Sequence, residues 1–274
     1  MADKRPELSV WSAYYVDLSP EDAILELKKN GICASELSDE HGYMLLQRGD
    51  PEKAGKEFHA FLEKENFTVT QGHLFLRVKL VTDETAVDTL EKWLRLYEAI
   101  GIENAVLHAD MIAGDEEISR KERIDRNREK LIRLYERTAD LKIRIAMENI
   151  SAMPDIDSLL ELIEPLDASR FGVCLDTGHL NFSKSPDQAQ FIRKAGKRLC
   201  ALHIADNEGK TDQHMMPFGR GNVDFETVVS EIGKVGYSGL FNLEIPGERM
   251  APMPVLAAKL RYIREVYNYL FSIE

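Results

Sequence analysis

The sequence predicts an α/β fold, a single (β/α)8 barrel over residues 1–274, and three observations carry that prediction. Short runs rich in Val, Ile and Leu alternate with helical stretches, eight times over, almost from end to end of the 274 residues, as buried parallel strands with crossover helices do. No Pro- or Gly-rich linker and no shift of composition marks a second domain. Four of the runs close on a carboxylate or an imidazole, at Glu148, Asp176, His203 and Glu244.

Residues 8–11 read as the first strand. Ser19, Pro20, Glu21 and Asp22 then supply a cap, a first-turn proline and acids for an amphipathic helix to about residue 30. The second strand spans 32–37, a polar helix runs through about residue 64, and 67–75 form the third strand. A helix from about residue 83 ends at Gly101, before a fourth strand over 105–108. The Glu/Arg/Lys-rich stretch 119–139 is helical, and 143–148 is the fifth strand. A short helix over 155–163, a sixth strand over 172–176, a helix over 185–194 and a seventh strand over 199–204 follow. After a longer polar loop, Asp224 caps a helix over 225–235, 240–244 is the eighth strand, and 254–270 is the closing helix. A doubly wound open sheet would normally begin with a Gly-rich phosphate turn after strand one, where this chain has Trp11-Ser12-Ala13-Tyr14-Tyr15.

Composition narrows the classes of function. With 44% hydrophobic and 30% charged residues, and no apolar stretch approaching the roughly 18 residues of a membrane span, no membrane insertion is expected. The charged N-terminus is not followed by the apolar segment of a secretory signal, so the cytoplasm is the default compartment. Cys33, Cys174 and Cys200 lie among apolar neighbours and read as small core residues, neither disulfides nor nucleophiles. A formal charge of −12 opposes phosphate backbones, so nucleic acid is not the expected partner. The basic stretch 120–137 is interleaved with Glu122, Asp125, Glu129 and Glu136 and reads as a solvated helix face. Oligomeric state is not written in the sequence, although barrels of this kind commonly pair as homodimers.

In a barrel the carboxyl ends of the strands share one rim, so Glu148, Asp176, His203 and Glu244 are expected to converge. Three carboxylates and one imidazole suit a divalent ion such as Mn²⁺, Mg²⁺, Co²⁺ or Zn²⁺, and the lack of thiolate ligands speaks against a structural zinc. His73, His108, His179, Asp212 and His214 fall at or beside the same level. Five of the seven histidines therefore gather there, which fits either several ions or one ion with many surrounding partners. Gly219 and Gly221 are expected to bend the loop into the helix capped by Asp224, where Arg220 is a candidate for holding an anionic group. Substrate recognition falls to loops after the first strands, with Trp11, Tyr14, Tyr15 and Glu36 as candidates.

Met147-Glu148-Asn149, Leu175-Asp176-Thr177-Gly178-His179, His203-Ile204-Ala205-Asp206-Asn207, the segment 219–225 and Leu243-Glu244 together resemble the xylose isomerase-like barrels. That family includes sugar isomerases and epimerases, inosose isomerases and dehydratases, and endonuclease IV. The resemblance implies that Glu148, Asp176, His203 and Glu244 hold a divalent ion. It further implies that Glu148 and Glu244 exchange protons with a small sugar-like or cyclitol substrate through a metal-stabilised enediolate, with His179 as a substrate contact or acid. Loss of a β-hydroxyl would give a dehydratase instead. Where the ketose 3-epimerases of the family place an arginine and a further glutamate, this chain has Gly209 and Pro154. The resemblance to endonuclease IV implies a three-zinc alternative, drawing on His73, His108, Glu148, Asp176, His179, His203, Asp212, His214 and Glu244 and cleaving abasic DNA.

Overall fold

The computed structural model describes residues 5–110, 119–151, 153–248 and 250–272; residues 1–4, read above for a signal sequence, lie outside the described ones. Eight strands form one parallel sheet: β1 (Glu7–Val10), β2 (Ala34–Leu37), β3 (Thr68–His73), β4 (Asn104–His108), β5 (Arg144–Glu148), β6 (Phe171–Asp176), β7 (Leu199–His203) and β8 (Leu240–Leu243). They are hydrogen-bonded in the order β7-β6-β5-β4-β3-β2-β1-β8. The two outer strands meet through one parallel bridge between Ile204 and Leu243. There the Ile204 N–H donates to the Asn242 carbonyl at 2.8 Å and the Glu244 N–H to the Ile204 carbonyl at 3.1 Å. The sheet so closes into the expected (β/α)8 barrel.

The helices are α1 (Pro20–Lys29), α2 (Asp39–Leu46), α3 (Pro51–Glu65), α4 (Ala86–Ile100), α5 (Arg120–Arg137), α6 (Ile156–Ile163), α7 (Thr177–Asn181), α8 (Gln188–Ala195), α9 (Phe225–Val235) and α10 (Met253–Leu270). Their starts are chemically specified. Side chains of Ser19, Asp50, Asp155 and Asp224 each accept the N–H three residues on, at 2.8–3.1 Å, satisfying donors that have no partner within the helix. The polar helix expected up to residue 64 is two helices, because Ser38 caps one and Asp50 with Pro51 starts another. The third strand stops at His73 rather than residue 75. No described helix is long and apolar enough to cross a membrane.

The main core lies between barrel and helices, where Trp93, Tyr97, Phe58, Phe171 and Phe225 are fully buried. Inside the barrel the two halves differ. Val106, Ala146, Cys174, Cys200 and Ala201 make a small apolar cluster on the β4–β7 side, whereas Ser9, Glu36, Gln71 and Asn242 place polar groups on the β8–β3 side, all at most 1% exposed. Cys33, expected in the core, is exposed at the turn before β2, where its carbonyl accepts the Thr68 N–H; Cys174 and Cys200 are buried as expected.

Register aligns the functional ends. His108 lies opposite Glu148 in the β4–β5 pair and Asp176 opposite His203 in the β6–β7 pair. Since the Asp50 side chain caps α3, Asp50→Ala should cost about 1 kcal/mol of stability; urea unfolding measures this, and an unchanged midpoint would show that the cap does not hold the helix.

Candidate metal centre

Side chains two residues apart on a strand share a face, and this periodicity builds the site in layers. The inward-facing positions Gln71, Val106, Ala146, Cys174, Ala201 and Asn242 each lie two residues before His73, His108, Glu148, Asp176, His203 and Glu244. The upper set gathers at the carboxyl end of the barrel. Glu148, Asp176, His203 and Glu244 each offer a ligand atom within 4.8 Å of the others, at 1%, 0%, 0% and 6% exposure.

Three of these atoms are polar orphans: Asp176 Oδ2, His203 Nδ1 and Glu244 Oε2 are buried and make no hydrogen bond. Buried groups left in this way are costly, yet their near neighbours are mostly further acceptors. His203 Nδ1 lies 3.2 Å from Glu148 Oε1 and 3.2 Å from Glu244 Oε2. Metal–ligand bonds of about 2.1 Å place neighbouring ligand atoms about 3–4 Å apart, so the donor set and its spacing fit one divalent cation.

The imidazoles point the same way. His203 donates through Nε2 to Glu36 at 3.0 Å, while His73 Nδ1 lies 2.7 Å from the Leu74 carbonyl. His179 Nδ1 is 3.0 Å from the Asn149 carbonyl and His214 Nδ1 2.8 Å from the Glu244 carbonyl. A carbonyl only accepts, so each anchored nitrogen carries a proton and the other faces a carboxylate, where it would be the nitrogen able to bind a cation once its own proton is lost. His73 Nε2 faces Glu148 at 3.4 Å, and His179 Nε2 and His214 Nε2 face Asp212 at 3.2 and 3.0 Å. Two further imidazole-rich groups could hold an ion, His73 with His108 and Glu148, and His179 with Asp212 and His214, beside a third that sets Cys174 with Glu148 and His203. His108 reaches Glu148 Oε2 at 2.9 Å.

Side chains brace the rim where the strand ladders end. Asn149 accepts the Asp176 N–H at 2.8 Å and donates to the Asp176 carbonyl at 2.9 Å. Thr177 bonds both the N–H and the carbonyl of Ala205, at 3.0 and 2.8 Å. Asp176 also accepts the His179 N–H at 2.6 Å and so caps the unforeseen helix α7. The loop bearing Asp212 and His214 is tied by Asp206, which accepts the Val223 N–H at 3.0 Å. A Cβ at residue 221 would stand 2.1 Å from the Asp206 carboxylate, so Gly221 serves this close approach.

Electrostatics follow from this crowding. For the polypeptide by itself, burial would raise Glu148, but His203, His108 and His179 hold it well below the usual carboxylate range. Burial pushes Glu244 up to about 8, with Glu148 and Asp176 adding to the rise. Burial would depress His203, yet Cys174, Glu244, Glu36 and Glu148 outweigh it and hold the imidazole well above its ordinary value.

The recognition candidates are placed differently from one another. Trp11, Tyr14 and Tyr15 line a cavity of about 480 Å³ with Pro246 and Glu248, a size suited to a small ligand; Tyr14 and Tyr15 are buried, and the Tyr14 hydroxyl donates to the Leu256 carbonyl at 2.8 Å. Glu36, read as a substrate contact, is instead sealed in the barrel interior against His203. The Arg220 side chain is 73% exposed and sits 3.4 Å from Glu208. His179 lines another cavity, of about 470 Å³, with Phe182 and Lys184.

A family model described as "Xylose isomerase-like TIM barrel" matches residues 25–266. "Uncharacterized protein MJ1311" of Methanocaldococcus jannaschii is 28% identical over 176 residues, covering 61% of this chain and 58% of that one. "Ketose 3-epimerase" of Arthrobacter globiformis is 29% identical over 112 residues, 39% of this chain and 36% of the other. The chain thus spans less than two thirds of either relative. A crystal structure of a "D-tagatose 3-epimerase-like protein" superposes with a TM-score of 0.78 at 21% identity, covering 96% of this chain and 97% of that chain; at that identity it shows the fold.

A cation entering this cluster would displace the protons that Glu244 and His203 hold near neutral pH. Glu244 is raised to about 8 and His203 well above its ordinary value, so both protons are bound at neutral pH and affinity must rise with pH, by about tenfold per unit for each proton released. Competition titrations with Mn²⁺ or Zn²⁺ between pH 6 and 8 measure this; a flat profile would contradict the proton assignment.

Proposed function

The chain belongs to the xylose isomerase-like TIM barrel family, and from that membership we propose that it is a divalent-metal-dependent isomerase or epimerase. Its substrate would be a small sugar or cyclitol, and the whole of 1–274 would form one catalytic domain. The observation that supports this best is the trio of buried orphan atoms on Asp176, His203 and Glu244, gathered with Glu148 within 4.8 Å. The printed names of the epimerase relative and the epimerase-like structure agree with the reaction class.

Glu148, Asp176, His203 and Glu244 would hold the ion. When bound, a divalent cation supplies Lewis-acid stabilisation for negative charge developing on a substrate oxygen. Glu148 and Glu244 do the proton work: one takes the proton from the carbon beside the carbonyl and the other returns one to a second face or carbon. Both carboxylates offer oxygens within 4.8 Å of each other, close enough for one bound sugar carbon to meet the two. His179, braced by Asp212 at 3.2 Å, stands beside Glu148 at 3.1 Å and is placed to orient a substrate hydroxyl. A neighbouring leaving hydroxyl would turn the same opening step into dehydration. Gly209 and Pro154 stand where the ketose 3-epimerases of the family carry arginine and glutamate, so the substrate we expect is a related polyol carbonyl compound rather than their ketoses.

A second reading has its own support in the two further ligand groups that flank the first. Occupied together, the three groups would make a multi-ion centre suited to clamping a phosphodiester and activating water, with abasic DNA as the substrate. The formal charge of −12 weighs against a nucleic-acid partner.

Chelation followed by re-addition of Mn²⁺, Zn²⁺, Co²⁺ or Mg²⁺, with interconversion followed over a panel of sugars and inososes, tests the main reading. Activity should vanish and return with the ion; full activity in the stripped protein would end the proposal. Glu148→Gln and Glu244→Gln should each lower turnover by about 10²–10⁴-fold. One ion per chain agrees with the isomerase, whereas three ions with cleavage of abasic DNA would transfer the assignment to the hydrolase.

A further inference from the structure

Beneath the ligand layer, Glu36 is the centre of a closed polar network built from five strands. It is 0% exposed and accepts hydrogen bonds from His203 Nε2 at 3.0 Å and Gln71 Nε2 at 3.2 Å, and from Asn242 Nδ2. The network has a fixed polarity. Ser9 Oγ donates to Asn242 Oδ1 at 2.8 Å, which turns the Asn242 amide so that its NH₂ faces Glu36, and Gln71 Nε2 also lies 3.3 Å from the Leu202 carbonyl. With donors arriving from β3, β7 and β8, the Glu36 carboxylate acts only as an acceptor.

We infer that Glu36 is a positioning residue for the cation site: by holding the Nε2 proton of His203 it turns the ring so that Nδ1 presents its lone pair between Glu148 and Glu244. The inference rests on the reading of His203 as a ligand. An imidazole has two nitrogens, and the one free to bind a metal is decided by what the other donates to. Among the four anchored imidazoles at the barrel mouth, His73, His179 and His214 use backbone carbonyls, while His203 is anchored by a carboxylate, which makes it the more basic donor toward a cation. A glutamine at position 36 keeps the shape and changes the chemistry. Its NH₂ would meet either His203, reversing the ring's tautomer and placing a proton on Nδ1, or the amide donors of Gln71 and Asn242.

The test is cation affinity. Full-length wild type and Glu36→Gln are stripped, titrated with Zn²⁺ and compared, with folding checked by circular dichroism. A loss of about 10–100-fold in affinity is expected in a variant that keeps its fold. The Zn²⁺-loaded wild type gives a second readout that needs no substitution: long-range ¹⁵N–¹H spectra should show the His203 proton on Nε2 and the metal on Nδ1. Equal affinity of the two proteins, or a proton on Nδ1 in the loaded wild type, would overturn the role of Glu36 alone. A wild type that takes up no Zn²⁺ would overturn both this role and the metal reading beneath it.

Discussion

Glu36, Glu148, Asp176 and Glu244 put four carboxylates inside one barrel at no more than 6% exposure, and like charges cannot be packed in this way without positive charge among them. The arrangement of the barrel mouth answers that constraint. Imidazoles are interleaved with the acids so that Glu148 meets His73, His108, His179 and His203, and Asp212 meets His179 and His214. For the polypeptide alone, protons supply the missing charge. A divalent cation supplies more of it in less space, which is why the same residues read as ligands.

The fold contributes a ruler. A parallel barrel sets neighbouring strands in fixed register, and residues separated by dozens of positions become neighbours at one height: His108 beside Glu148, and Asp176 beside His203. Where the ladders run out, Asn149 and Thr177 extend them with side-chain bonds to the backbone of Asp176 and Ala205. The motifs around Glu148 and Asp176 thus combine a candidate ligand with the brace for the next strand. This accounts for runs such as Glu148-Asn149 and Asp176-Thr177 without appeal to the substrate.

Much of this was legible in the sequence because it is local. Apolar runs bounded by caps mark the strands and helices, and an ionisable residue ending a buried run marks the rim. The break between α2 and α3 is also written there, in Asp50 and Pro51. The role of Glu36 was not legible, since its partner His203 lies 167 positions away and a glutamate in an apolar run looks the same whether it faces a substrate or a ring nitrogen. The one available hint was periodicity: Gln71 and Asn242, two residues before His73 and Glu244, are amides in strands that otherwise bury apolar groups. The contact of Gly221 is hidden for a related reason, since a glycine demanded by a carboxylate across the loop cannot be told in the sequence from one demanded by a turn.

The seam between β7 and β8 has a mechanical consequence. Most neighbouring pairs are registered over three or more residues, whereas here the described residues give the single bridge from Ile204 to Leu243, directly flanked by His203 and Glu244. An ion gripped from both banks would fasten the cylinder across this join, so that loading the centre and resisting the parting of β7 from β8 become the same event.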